Sequence, residues 1–196
     1  MQIDTKKLSG TLLYMELLDA KHVEAIRGLA RDERIWEFTK GLLVNESFDQ
    51  QFNNYINTAM DTRALSGQQA LVVRQVTDKA IIGMTRLYEI DQKDRRLAIG
   101  YTWYIPEVWG SSFNKECKFL LLQYVFEGLG FNRVEFHIAH QNIRSQKAVE
   151  KIGAVKEGVL RKHGYRNDGS LRDKIIYSIL NEEWPAKKEK LLQLIG

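Results

Sequence analysis

"VWGSSFNKE", residues Val108 to Glu116, joins a run with strand character to a run with helix character. A strand feeding a helix that feeds another strand makes a crossover, so this junction decides how the second half of the chain is wired. It is also where a turn that holds phosphate would lie, because a helix N-terminus presents unpaired N–H groups and about half a positive charge. The stretch contains one glycine, Gly110, with hydroxyls on Ser111 and Ser112. It is not a P-loop, lacking a Gly-Lys-Ser/Thr ending, and Gly-x-Gly-x-x-Gly is also absent. Glu116, in the first turn, competes with a bound anion for the helix dipole. From these residues alone two readings stand: an anion cradle, or a connection capped by Ser112 or Asn114.

Upstream of the junction, "TLLYMELL" (11–18) reads as a first strand and Asp19 as the cap of a helix carrying His22, Val23, Ile26, Leu29 and Ala30 at helical spacing. A second helix is expected from Phe48 to Leu65. Strand runs follow at 70–76, 80–90 and 96–105, separated by "TDK" and "DQKDR", and predict an antiparallel meander. Downstream, Asn114 to Gly128 reads as a helix and "RVEFHIAH" (133–140) alternates as a strand. "NIRSQKAVEKIG" then reads as a short helix, 154–163 and 172–180 as strands, and "NEEWPAKK" as a helix start, with Pro185 in its first turn. The predicted order is β-α-α-β-β-β-α-β-α-β-β-α, a mixed, mostly antiparallel α/β sheet flanked by helices. One domain over 1–196 is expected, because no linker, repeat or low-complexity segment interrupts the chain.

The 196 residues include 29 Lys and Arg against 25 Asp and Glu, a net charge of +4, which suits polyanionic small molecules as well as nucleic acid. The basic residues do not cluster in an aromatic-interleaved strand pair, so no nucleic-acid partner is expected. One cysteine, Cys117, excludes an intrachain disulfide, and the four scattered histidines show no ligand spacing, so no metal is expected. No apolar run approaches a membrane span and the N-terminus lacks an apolar signal region, so the expectation is a cytoplasmic protein without a membrane partner.

In "NIRSQKAVEKIGAVKEG", Ser145, Ala148, Val149 and Ile152 share a helix face, and Asn142 precedes the helix. Both polar residues are read as a packing serine and a cap, or as parts of a site. A wider pattern bears on the choice: "IGYTWYIPEVWG", N-x-E-C-K at 114–118, "RVEF", N-x-R-S-x-x-A-x-x-x-x-G-A at 142–154, "EGVLR" and "RDKIIYSILNEEW". In these motifs, spanning about residues 80 to 184, the chain resembles the GNAT superfamily of acetyl-coenzyme A dependent N-acetyltransferases. It is most similar there to the ribosomal-protein N-terminal (Rim-type) branch.

The resemblance implies a GNAT-like fold, acetyl-CoA as cosubstrate and a primary amine as acceptor. It aligns Trp109 with the family's Arg/Gln position and Gly110, Ser111, Ser112, Phe113 and Asn114 with its pyrophosphate loop. Trp103, Tyr104 and Ile105 fall on the strand whose N–H groups meet the pantetheine arm and the thioester oxygen. Asn142 would bind pantetheine or the sulfur side. Many relatives carry a tyrosine acid where this chain has Val149, which leaves Ser145 as the candidate proton donor. For the base, Glu157, His137 and Glu135 are available, with Glu157 alternatively paired to Arg161 or another cation. Trp36 and Phe38 are expected to wall the acceptor, with the loop 162–173 as a second lip. Cys117 is expected in the core.

The expected activity is direct acetyl transfer to a protein N-terminal α-amine. The alternatives are a small amine such as a polyamine or aminoglycoside, and a non-catalytic acyl-CoA-binding module. A homodimer joined through an exposed sheet edge or the C-terminal helix is one expectation for assembly.

Overall fold

The structure, a computed structural model, describes residues 3–37, 44–64, 67–165 and 169–195. Seven strands form one sheet in the order β1-β2-β3-β4-β5-β7-β6, from β1 (Leu13–Leu17), β2 (Gln68–Gln75), β3 (Ile81–Asp91), β4 (Arg96–Tyr104), β5 (Arg133–Ala139), β6 (Val155–Tyr165) and β7 (Leu171–Leu180). Helices α1 (Val23–Leu29), α2 (Phe48–Ala64), α3 (Phe113–Gln123), α4 (Ile143–Lys151) and α5 (Trp184–Ile195) complete the predicted order. Every neighbouring pair is antiparallel except β4 and β5, which the crossover through α3 makes parallel. Among the described residues, no helix is long and apolar enough to cross a membrane.

Alternation along the strands sends side chains to two cores. On β2, Leu71 and Val73 join a cluster built with α3, α4 and α5, while Ala70 and Val72 join a second with α1 and α2. The sheet is therefore buried on both faces through its middle. Boundaries differ from expectation where local hydrogen bonds intervene. Asp19 caps a 3-10 turn, Ala20–His22, that leads into α1, and the His22 ring accepts the Asp19 N–H in return. Helix α3 ends at Gln123 and continues as a π-turn over Tyr124–Gly128.

Strand β1 starts at Leu13 because the amides before it have another partner. The buried Glu116 carboxylate accepts from the N–H groups of Thr11, Leu12 and Leu13 at 2.8 to 2.9 Å and from Thr11 Oγ1 at 2.7 Å. The first turn of α3 is thereby bolted to β1. Glu116 points away from the helix N-terminus, so the acidic residue that could have neutralised it is spent elsewhere. Truncating this carboxylate strands four donors, and hydrogen bonds to charged groups are worth about 1.5–3 kcal/mol each at most. Glu116→Ala is expected to cost about 3–4 kcal/mol and lower Tm by about 10 °C in a thermal melt.

Candidate active site

The parallel contact of β4 with β5 lasts for three residue pairs, Arg96 with Arg133, Leu97 with Val134 and Ala98 with Glu135. Beyond Ala98 the strands part. β4 keeps pairing with β3 as far as Tyr104, and β5 keeps pairing with β7 as far as Ala139, so a wedge opens between 99–104 and 136–139. A bulge marks the opening: Tyr101 and Thr102 stand opposite Thr85 alone, with Tyr101 at φ +51°. A non-glycine residue in that conformation is held there by its surroundings and is a frequent feature of functional sites.

Beyond the bulge, the phase of alternation decides which amides face the wedge. The Ile105 N–H donates to the Ile82 carbonyl at 2.9 Å, so Tyr104 belongs to the non-bonded pair and its N–H turns away from β3 into the wedge. Ile105 is accordingly not an amide donor to a ligand, against the expectation for it. The Trp109 indole closes this end, donating to the Tyr104 carbonyl at 2.9 Å and touching both cores. The Trp103 side chain is buried on the α2 face, its Nε1 bonded to Tyr55 Oη.

At the wedge mouth, α3 begins. Among the described residues, the N–H groups of Gly110, Ser112, Asn114 and Lys115 have no acceptor, while Phe113 N–H makes a long contact of 3.4 Å to Ser111 Oγ. Ser112 is the N-cap without a side-chain cap bond, and Ser111 Oγ donates to the Val108 carbonyl at 2.5 Å. Gly110 has φ +77° and open space where a Cβ would lie. The Arg144 guanidinium stacks over the Trp109 ring at 4.3 Å, so a cation sits on the residue that replaces the family's Arg/Gln. Asn142 is the N-cap of α4, its Oδ1 accepting from Ser145 N–H at 2.9 Å. The Ser145 hydroxyl has no partner among the described residues. These unspent donors suit a pyrophosphate and a pantetheine arm.

On the other side of the sheet lie the candidate bases. His137 Nε2 meets Glu135 Oε2 at 2.8 Å, while its buried Nδ1 makes no hydrogen bond and lies 3.8 Å from Glu89 Oε1. The Tyr88 ring stands edge-on to both His137 and Tyr101. Burial pushes the Glu135 carboxyl up, but hydrogen bonds from Arg133 and His137 bring it below the usual range. Glu89, Glu135 and His137 also come close enough to share a cation, a juxtaposition invisible in the spacing of histidines, although Arg133 already occupies Glu135.

Glu157 is clamped by both terminal nitrogens of Arg133 and accepts from Ser178 Oγ, which holds its pKa down to about 2. That carboxylate is too weak a base and too fully engaged to take a proton from an amine. Trp36 is buried at 7% exposure against Tyr55 and Trp103, its Nε1 bonded to the Ala30 carbonyl, so it backs the acceptor side rather than facing it. Tyr101, 53% exposed, packs against Tyr88 and under Arg86. Phe38 lies outside the described residues. Cys117 is buried and its thiol pushed up by burial, as a core cysteine should be. Residues that the sequence alone did not single out are Lys118, Thr102, Tyr101 and Arg144.

The family model for the acetyltransferase (GNAT) domain matches residues 12–155. The chain belongs to the GNAT acetyltransferase family. It is 36% identical over 111 residues to "Putative ribosomal N-acetyltransferase YdaF" of Bacillus subtilis (strain 168), covering 57% of this chain and 60% of that protein. The chain thus spans less than two thirds of the length of the first curated relatives it matches. A GCN5-related N-acetyltransferase from Brucella melitensis superposes with a TM-score of 0.86 at 24% identity, over 96% of this chain and 85% of that one. The spermidine N-acetyltransferase from Vibrio cholerae, solved with CoA and spermine, gives 0.72 at 23% identity, over 90% and 99%. These two likenesses establish the fold.

The Arg133–Glu157 clamp has a defined pH signature. Because the folded carboxyl lies below its ordinary value of 4.5, its contribution to stability is full above that pH and disappears as pH falls through about 2. Melts of wild type and Glu157→Gln should differ near neutrality and converge over this window. A difference that persists at the acid end would show that the clamp acts by packing and not by charge.

Proposed function

We propose that the protein is an acetyl-CoA dependent N-acetyltransferase acting by direct transfer, with a protein N-terminal α-amine as its acceptor. The observation that carries the reading is the wedge between β4 and β5, with an inward-turned amide on Tyr104 and unspent amides at its mouth on Gly110, Ser112, Asn114 and Lys115. Those amides, with Ser112 and Asn114 side chains, would hold the pyrophosphate, and Arg144 on Trp109 would add a positive charge. Asn142 retains its side-chain NH2 for the pantetheine arm. When bound, the cosubstrate supplies an activated acetyl thioester; the rest falls to this chain's residues. The Tyr104 N–H would stabilise negative charge developing on the carbonyl oxygen.

His137 is the base this reading favours. Glu135 fixes the ring through Nε2, leaving the buried Nδ1 to accept a proton from the amine. An α-amine, with a reference pKa of about 7.7–8.0 against about 10.4 for lysine, asks little of that base. Similarity to YdaF, named a ribosomal N-acetyltransferase, supports a protein acceptor. One feature favours a polyamine instead: the carboxylates of Glu89 and Glu135 on the acceptor side, offset there by Arg133 and Lys174. Assembly belongs to the same reading, with a second copy covering Val155, Val159, Leu160 and Tyr165, exposed on the edge strand β6.

Calorimetric titration with acetyl-CoA is expected to give saturable one-site binding. A panel of peptides with free α-amines, α-blocked lysine peptides and spermidine is expected to show fastest transfer to the α-amine. Preference for spermidine would move the assignment to small amines, and binding without turnover would make the chain a non-catalytic module. His137→Asn should lower kcat about 100-fold with cosubstrate affinity retained. Arg144→Ala should weaken acetyl-CoA binding about threefold to tenfold, with the deficit shrinking as salt screens it.

A further inference from the structure

Lys118, on α3, is buried at 5% exposure and reaches toward the place where the two strands separate. Its Nζ donates to Thr102 Oγ1, just past the β4 bulge, at 2.9 Å, and lies 6.0 Å from the centroid of Phe136 on β5. Thr102 Oγ1 is held in turn by Thr85 Oγ1 on β3 at 2.8 Å. An ammonium carries three donors, and among the described residues Thr102 is the sole acceptor for this one. The groups around it are Cys117 and Glu116 on α3, Thr102 on β4 and Phe136 on β5. The Cys117 thiol is kept neutral by burial, and Glu116 is turned away onto Thr11, Leu12 and Leu13. A buried cation with no counterion is costly to maintain, and the wedge is where an anionic ligand atom would complete it.

We propose that Lys118 is the proton donor to the sulfur that departs during acetyl transfer. The inference rests on the preceding reading that acetyl-CoA occupies the wedge. As the acceptor nitrogen bonds to the carbonyl carbon, the carbon–sulfur bond breaks and its electron pair leaves on sulfur. Lys118 Nζ gives that sulfur one proton and becomes a neutral amine, while the proton lost by the acceptor nitrogen goes to His137 or water. Departure of the thiol readmits solvent, which returns a proton to Lys118.

The chemistry suits this residue better than Ser145. An ordinary lysine at about 10.4 is poorly matched to a thiol at about 8.5, and an alcohol is a far weaker acid than either. Burial lowers the Lys118 pKa, with Cys117 opposing, and so narrows the mismatch. The group lies on the α3 face of the sheet, the face of the proposed pyrophosphate cradle, whereas His137 lies on the acceptor face. Acid and base thus approach the reacting centre from opposite sides.

The test follows kcat against pH at saturating acetyl-CoA and amine, with the solvent deuterium isotope effect measured beside it. In wild type kcat should fall at alkaline pH as Lys118 loses the proton it donates, and kcat should be about twofold or more slower in heavy water. In Lys118→Met the alkaline fall and the isotope effect should both be gone. The variant should retain acetyl-CoA affinity, melt at an equal or higher temperature because an unpaired buried charge is gone, and lose about 100-fold in kcat. If the variant fails to fold, the wild-type profile and isotope effect still decide. Absence of the alkaline fall in wild type, or unchanged kcat in the variant, overturns the role of Lys118 and leaves the site reading intact. Failure of coenzyme A to bind wild type overturns both. Acetyl found on Lys118 by mass spectrometry would make it a nucleophile and overturn the proposal as well.

Discussion

The separation of β4 from β5 after three residue pairs governs the rest of the structure. A parallel pair that parts gives up ladder hydrogen bonds in the middle of a sheet buried on both faces, where an unsatisfied backbone group is expensive. The fold limits the loss in two ways. Trp109 bridges one end of the wedge by donating to the Tyr104 carbonyl, and β3 and β7 pair the outer edges of the two strands, on the β3 side with bulges. What remains open is a short length of backbone with directed donors. A ligand with acceptors at the matching spacing would recover the lost bonds, so the proposed site is made from sheet that the fold leaves unfinished.

Glu116 is the second half of that device. An acidic side chain in the first turn of a helix normally strengthens it by meeting the dipole, and here that would place a carboxylate beside the proposed anion cradle. By turning back to Thr11, Leu12 and Leu13, Glu116 positions α3 against β1 and leaves the helix N-terminus positive. Gly10 is required by the same contact, since a Cβ there would stand 2.6 Å from the Glu116 carboxyl carbon. A structural bond thereby keeps the end of α3 at the proposed cradle free of a carboxylate.

Element order was legible because it depends on local pattern: alternation at 133–140, helical spacing at 113–124, and turn residues between strands. The free amides of the proposed cradle lie in one contiguous stretch, which is why the sequence could single it out. The remainder was hidden where roles depend on phase or on distance along the chain. Ile105 was expected to offer its amide, but the bulge at Tyr101 and Thr102 resets the alternation and hands that direction to Tyr104. Glu157 could be suspected of an ion pair, yet its partner Arg133 is 24 residues away and adjacent only through β7. Glu89 and His137 are juxtaposed through the pairing of three separate strands, which no spacing rule reports.

Lys118 shows why such a residue escapes a reading by hydropathy. Its neighbours Cys117, Leu121 and Leu122 are buried, and a lysine among them looks like a solvated interruption of an apolar helix. The fold instead takes its four-carbon stem through the core and delivers the ammonium to Thr102, where β4 parts from β5. A methionine of similar length would satisfy the same packing with no charge to desolvate. A lysine there costs stability, and the proposed proton transfer gives that cost a use. The positive φ of Tyr101 and the His137 Nδ1 that makes no hydrogen bond lie at the same wedge, so several departures from local rules meet there.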